Sequence, residues 1–144
     1  MTRRGKSHSR RPVSKRAPAW FRYGPEEVEA FVIKLAKEGR TPSQIGVTLR
    51  DQYGIPLVKL VSGRSIESIL EQAELRPTIP EDLSNLISKT TNLQRHLVRN
   101  RSDAVNRRSL ELLVSKVRRT GRYYKHIGRI PENWEYRPEA TTTA

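Results

Sequence analysis

The chain has 144 residues, 28 of them Lys or Arg against 15 Asp or Glu, so it carries a formal charge of +13; a field of that sign attracts polyanions and repels basic partners. It has no cysteine, which excludes disulfides, thiol nucleophiles and zinc–thiolate sites. No apolar run approaches the roughly eighteen residues of a membrane span, no apolar segment follows the charged start as a secretory signal requires, and a hydrophobic fraction of 35% allows only a modest core.

The first 22 residues hold Arg3, Arg4, Lys6, Arg10, Arg11, Lys15, Arg16 and Arg22 and no acid. Pro12 and Pro18 interrupt any helix there, and self-repulsion keeps such a segment open until an anion neutralises it. Residues 1–23 are therefore expected to form a basic extended arm that orders against nucleic acid. A solubilising tail and a membrane-surface tail are the competing readings.

Residues 24–75 read as a small helical module. Gly24-Pro25-Glu26-Glu27 starts a helix with proline and acids in its first turn. Val28, Phe31, Val32 and Leu35 follow at helical spacing, and Gly39 stops the run. Thr41-Pro42-Ser43-Gln44 has the spacing of a capping box and opens a second helix with Ile45 and Leu49 inward. Tyr53-Gly54 ends it. Ile55 to Val61 could pass for a strand, but Pro56 argues against a central one, and a connecting segment packed on the helices is expected. Ser62 to Leu75 contains a third helix with Ile66, Ile69 and Leu70 inward.

Residues 76–80, with Pro77 and Pro80, form a stiff linker. Leu83, Leu86, Ile87, Thr90, Leu93 and Leu97 then keep a seven-residue pattern that predicts a long amphipathic helix over about 81–98. Arg99 to Asp103 form a polar turn. A second long helix is expected over about 104–127, with Val105, Leu110, Leu113, Val117 and Tyr124 on its buried side. So short a turn makes the two helices antiparallel. The expected fold class is all-α: basic arm, small module, linker, a long antiparallel hairpin over 81–129, and a tail over 130–144. Gly121 inside the second helix suits a close approach, by a neighbouring helix or by an RNA backbone. Trp134 and Tyr136 are expected to fold back as an aromatic latch in preference to stacking on bases.

Charge is concentrated late in the chain. Residues 23–98 are nearly neutral, whereas 99–129 hold ten basic residues and only two acids, Asp103 and Glu111. The hairpin turn brings together His96, Arg99, Asn100, Arg101, Asp103 and Asn106. An acid in a basic region is informative: Asp103 can cap the following helix, or accept from base amino groups, which phosphates lack. His96 is either a tip contact or a packing residue. Arg107, Arg108, Lys116, Arg118, Arg119, Arg122 and Lys125 form a basic ladder along the second helix, with Tyr123 beside Arg119 and Arg122. Arginine's fork of donors suits phosphate oxygens, although charges of this kind also cover plain solvated faces. Phosphate contacts alone carry little sequence choice, so selectivity falls to the tip and to RNA shape.

No glycine-rich phosphate loop and no histidine pair at metal-ligand spacing is present, so neither catalysis nor a metal or cofactor is expected. The alternative in a different class is a DNA-binding helix-turn-helix, with Thr41 to Leu49 as first helix and a recognition helix opening at Ser62-Gly63-Arg64-Ser65. The basic ladder lies elsewhere, which counts against it.

The hairpin motifs carry a resemblance. His96-Leu97-Val98-Arg99-Asn100-Arg101-Ser102-Asp103, Asn106-Arg107-Arg108-Ser109-Leu110 and Arg118-Arg119-Thr120-Gly121-Arg122-Tyr123-Tyr124-Lys125 resemble the universal ribosomal small-subunit protein family numbered fifteen in bacteria and archaea and thirteen in eukaryotes. The run from Leu35 to Gly46, Pro80-Glu81-Asp82-Leu83 and Pro131-Glu132-Asn133-Trp134 look like its archaeal and eukaryotic form. The likeness covers roughly residues 10–138. It implies a cytoplasmic ribosomal protein that binds central-domain small-subunit rRNA at a three-way junction, joins early in platform assembly and lies near an intersubunit bridge. The implied partners are that rRNA, other small-subunit proteins and the large subunit, with a single copy per ribosome and no membrane. It gives His96 and Asp103 the family's tip contacts and Tyr123 the junction contact. Asn106 stands where bacterial members have serine, with a different reach. Ser109 replaces a bacterial glycine. Arg76 and Pro77 replace a threonine and glycine at the junction loop, and Asp82 a glutamine, so those contacts do not carry over.

Overall fold

A computed structural model of the protein describes residues 18–137. Among them the chain forms six helices and no strand: α1 (Pro25–Lys37), α2 (Pro42–Gln52), α3 (Val58–Ser62), α4 (Ile66–Gln72), α5 (Glu81–Arg99) and α6 (Ala104–His126). They fall into two units, Met1–Arg76 and Pro77–Ala144.

In the first unit the helix starts follow from local hydrogen bonding. The Glu27 carboxylate accepts from the Gly24 N–H at 2.9 Å, and Pro25 occupies the first helical position. Thr41 and Gln44 form the reciprocal capping box: Thr41 Oγ1 accepts from the Gln44 N–H at 3.4 Å, and Gln44 Oε1 accepts from the Thr41 N–H at 3.1 Å. Gly39, at φ 83°, turns the chain out of α1 in a conformation that costs little without a Cβ, and lets the Arg40 N–H reach the Leu35 carbonyl at 3.2 Å.

The core of this unit is Val28, Val32 and Leu35 from α1, Ile45 and Leu49 from α2, Val58 from α3, Ile69 and Leu70 from α4, and Ile55 from the α2–α3 connection. Burying each such side chain contributes about 1.5–3 kcal/mol. Thr48 is the buried polar side chain here, and its hydroxyl accepts from Arg40 Nη1 at 2.9 Å. The segment Ile55–Val61 differs from the sequence expectation, because its second half is helical. A helix of five residues is too short to show a period. Pro56 stands before it and costs it no hydrogen bond.

In the second unit α5 and α6 run antiparallel. Near the end of α6 the Tyr124 hydroxyl donates to Asp82 Oδ2, in the first turn of α5, at 2.7 Å. At the opposite end His96 of α5 meets Asp103, the cap of α6, at 3.1 Å. Leu83 and Thr90 of α5 and Val117 of α6 are fully buried, while Leu86, Ile87, Leu93, Leu97, Leu110, Leu113 and Tyr124 are partly so. The Thr90 hydroxyl donates to the Leu86 carbonyl at 2.8 Å, which satisfies it inside the buried seam. Val105 does not join the seam: it is 78% exposed. Twelve residues from Val117 at 3.6 per turn, it lies about 120° around α6 from the buried row.

After α6 the chain returns over the hairpin. Ile130 is buried with Leu83 and Val117, and Trp134 and Tyr136 pack against the same cluster. A Cβ placed on Gly121 would lie 2.5 Å from Trp134 Cζ3. The close approach permitted by this glycine is therefore used by an indole of the returning segment. Arg129 Nη2 donates to the Pro77 carbonyl at 3.3 Å.

Gly121→Ala should gain about 1 kcal/mol in helix propensity and lose about 1–3 kcal/mol to overpacking against the indole. The expected net is destabilisation by about 1 kcal/mol in urea unfolding. Combining it with Trp134→Ala should remove the clash, so that the glycine change then stabilises relative to Trp134→Ala alone.

Candidate nucleic-acid interface

The hairpin tip is a closed hydrogen-bonded cluster. Asp103 caps α6 by accepting from the Asn106 N–H at 3.0 Å. Its other oxygen lies 3.1 Å from His96 Nε2 and accepts from Asn106 Nδ2 at 2.7 Å. Asn100 Nδ2 stands 3.2 Å from His96 Nδ1 and donates to the His96 carbonyl at 3.2 Å. These contacts agree with one tautomer, in which Nε2–H donates to the carboxylate and Nδ1 accepts from Asn100. Capping, one of the two readings that the sequence left for Asp103, is thus observed, and the same carboxylate also joins His96 and Asn106.

The same contacts set the charge of that carboxylate. The Asn106 backbone N–H, with the His96 and Asn106 side chains, lowers its pKa from 3.8 to about 2. The cluster remains partly open, with 42% of the His96 side chain and 28% of the Asp103 side chain exposed. Arg107 Nη2 donates to the Arg101 carbonyl at 2.6 Å, which fastens the turn to α6. Arg99 and Arg101 are exposed beside it.

Along α6 the basic residues do not form one row. Helical geometry puts Arg108, Arg119 and Arg122 on one exposed side, with Arg107, Arg118 and Lys125 on an adjoining flank. Lys116 is exposed but lies about 160° around the axis from Arg118, away from that flank. Arg108 is paired with Glu111 at 2.7 Å, a partner missed by the sequence reading although the spacing of three residues signalled it. Tyr123 is 59% exposed, its ring edge-on to Tyr124 with centroids 5.2 Å apart. Because Tyr124 is tied to Asp82, Tyr123 stands on an anchored neighbour. Arg3, Arg4, Lys6, Arg10, Arg11, Lys15 and Arg16 lie outside the described residues.

The region proposed for a DNA-recognition helix does not suit that role. The sequence of α4, Ile66–Gln72, contains Glu67 and no basic side chain. Arg76 pairs with Glu71 and, at 3.7 Å, with Glu67.

Residues 66–142 match the family described as Ribosomal protein S15, and residues 1–55 match the Ribosomal S13/S15 N-terminal domain. The chain belongs to the ribosomal protein S15 family. It is 53% identical over 135 residues to the Small ribosomal subunit protein uS15 of Nitrosopumilus maritimus, covering 94% of this chain and 91% of that one. The protein of that name from Cenarchaeum symbiosum is also 53% identical, covering 94% and 90%. That of Sulfolobus acidocaldarius is 48% identical, covering 94% and 88%. These relatives are archaeal and match nearly end to end, in keeping with the archaeal and eukaryotic type of motif.

A carboxyl group with a depressed pKa stabilises the folded chain where it is ionised in both states, and that contribution disappears as pH falls below the unfolded value toward the folded one. Asp103→Asn is therefore expected to be less stable than the parent near neutral pH, with the gap narrowing below about 3.8 and closing near 2. Urea unfolding across that range measures it.

Proposed function

We propose that this protein is a structural, non-catalytic constituent of the small ribosomal subunit that binds central-domain rRNA at a three-way junction and promotes assembly of the platform. The observation that carries the reading is the tip cluster: a carboxylate, an imidazole and two amides, mutually hydrogen-bonded and partly open, at the end of a hairpin otherwise rich in cations. Phosphates repel a carboxylate, so a negative group kept ionised at that position is suited to base and ribose donors in a minor groove. The archaeal relatives named above are small-subunit proteins, which supports the same assignment.

On this reading His96, Asn100, Asp103 and Asn106, with Arg99 and Arg101 beside them, read the RNA. Arg107, Arg108, Lys116, Arg118, Arg119, Arg122 and Lys125 neutralise phosphates, and Tyr123 packs at the junction. The tip and Tyr123 are twenty residues apart on α6, about 30 Å at 1.5 Å per residue. RNA arms in the wrong arrangement cannot meet both, so binding selects the folded junction and holds it for later proteins. The arm residues Arg3, Arg4, Lys6, Arg10, Arg11, Lys15 and Arg16 add phosphate contacts. The family's place near the subunit interface extends the partners to neighbouring small-subunit proteins and to the large subunit through a bridge.

His96→Ala and Asp103→Ala are expected to weaken binding to the cognate junction by about tenfold, the cost of one charge-assisted hydrogen bond, and to leave binding to generic duplex RNA nearly unchanged. Filter binding to both RNAs tests this, and equal losses on the two would remove the tip from specificity. Arg119→Ala is expected to lower affinity for both and to reduce the slope of log K against log salt by about one. An unchanged slope would mean that Arg119 meets no phosphate.

A further inference from the structure

Beside Gly121 the returning segment does not close fully onto α6. A cleft of about 380 Å³ remains, walled by Arg118, Arg122 and Lys125 on one side and by Trp134, Glu135 and Tyr136 on the other. We propose that this cleft is a pocket for one unpaired nucleotide of RNA whose base carries an amino group on its pairing edge. The proposal deepens the rRNA-binding reading above and rests on it.

Four features argue for a nucleotide. The volume falls in the range of small-molecule sites, about 300–1,000 Å³, which suits one extruded nucleotide and is too small for a duplex. Among the described residues, Arg118, Arg122 and Lys125 have no ion pair and no side-chain hydrogen bond. Glu135, on the facing wall, pairs instead with its neighbour Arg137 at 3.8 Å. Cations gathered around a cleft without an internal partner are suited to a phosphate.

Two aromatic rings line the same space, and bases splayed from RNA stack on such rings. The Trp134 indole is already seated on the Gly121 backbone, so ordering it costs a ligand little. Glu135 supplies the discriminating group. A carboxylate accepts from the amino group of cytosine and meets a carbonyl oxygen in the equivalent place on uracil. This assigns Trp134 and Tyr136 a ligand role in addition to their packing role.

The chain has two tryptophans. Trp20 is 63% exposed and belongs to the other unit, so full-length Trp20→Phe leaves Trp134 as the only indole reporter. Titration with cytidine and uridine hexanucleotides should quench Trp134, with half-saturation about fivefold lower for cytidine. Glu135→Gln, whose amide can serve either base, should remove that preference. Arg122→Ala should weaken both oligonucleotides alike and preserve their ratio.

Equal responses to the two oligonucleotides in the parent would overturn the pocket's base preference. Equal quenching by inorganic pyrophosphate would reduce it to an anion site. Junction RNA that binds, by anisotropy, without changing Trp134 emission would sink the pocket and leave the rRNA reading intact. Junction RNA that does not bind at all would remove both.

Discussion

The Asp103 carboxylate is the contact on which the geometry of the hairpin tip depends. It satisfies a free N–H at the start of α6, accepts from His96 on α5, and holds the Asn106 amide against both. The turn between two long helices is thereby joined through side chains as well as through the backbone. Without it, His96 and Asn106 have no common acceptor and the start of α6 loses its cap. The tip's polar groups have directions already set by these bonds, so little of their rotamer freedom remains.

The rest of the second unit explains why such ties are needed. Two helices of this length with few fully buried aliphatic side chains make a thin core, and the seam between them is narrow. The Tyr124 hydroxyl on Asp82 fastens the far end, and the returning segment adds Ile130 and Trp134 to the seam. Gly121 is the enabling position, because any side chain there would meet the indole. The exposed side of α6 carries cations that few acids neutralise, so much of its positive field faces outward. The stretch 24–75 of the first unit is built differently, with a denser apolar core, capped short helices and acids interspersed among its bases. Its composition is that of a scaffold, while the charge needed for a polyanion lies in the hairpin and in the basic arm.

Much of this was legible in the chain itself. The capping box at Thr41 and Gln44, the stop at Gly39, the seven-residue pattern from Leu83 to Leu97 and the polar turn before Asp103 each depend on residues within a turn or two of one another. Short-range rules therefore suffice. The tip residues were legible for the same reason, since a short turn necessarily gathers His96, Asn100, Asp103 and Asn106. The readings that differed have separate causes. Helix α3 is too short to show a period. Val105 has the apolar character of a seam residue, but the helix has turned too far by that position to bury it.

Sequence alone therefore determined the helical class, the extents of the long helices, the separation of charge and the identity of the tip, because these follow from nearest-neighbour propensities and from spacing along one helix. Tertiary structure decided what Gly121 is for, that the carboxylate capping α6 also meets His96 of α5, and that a cleft opens between α6 and the returning segment. Each of those depends on distances between groups whose placement no local pattern sets, and a pairing of that kind exists only once the chain has packed.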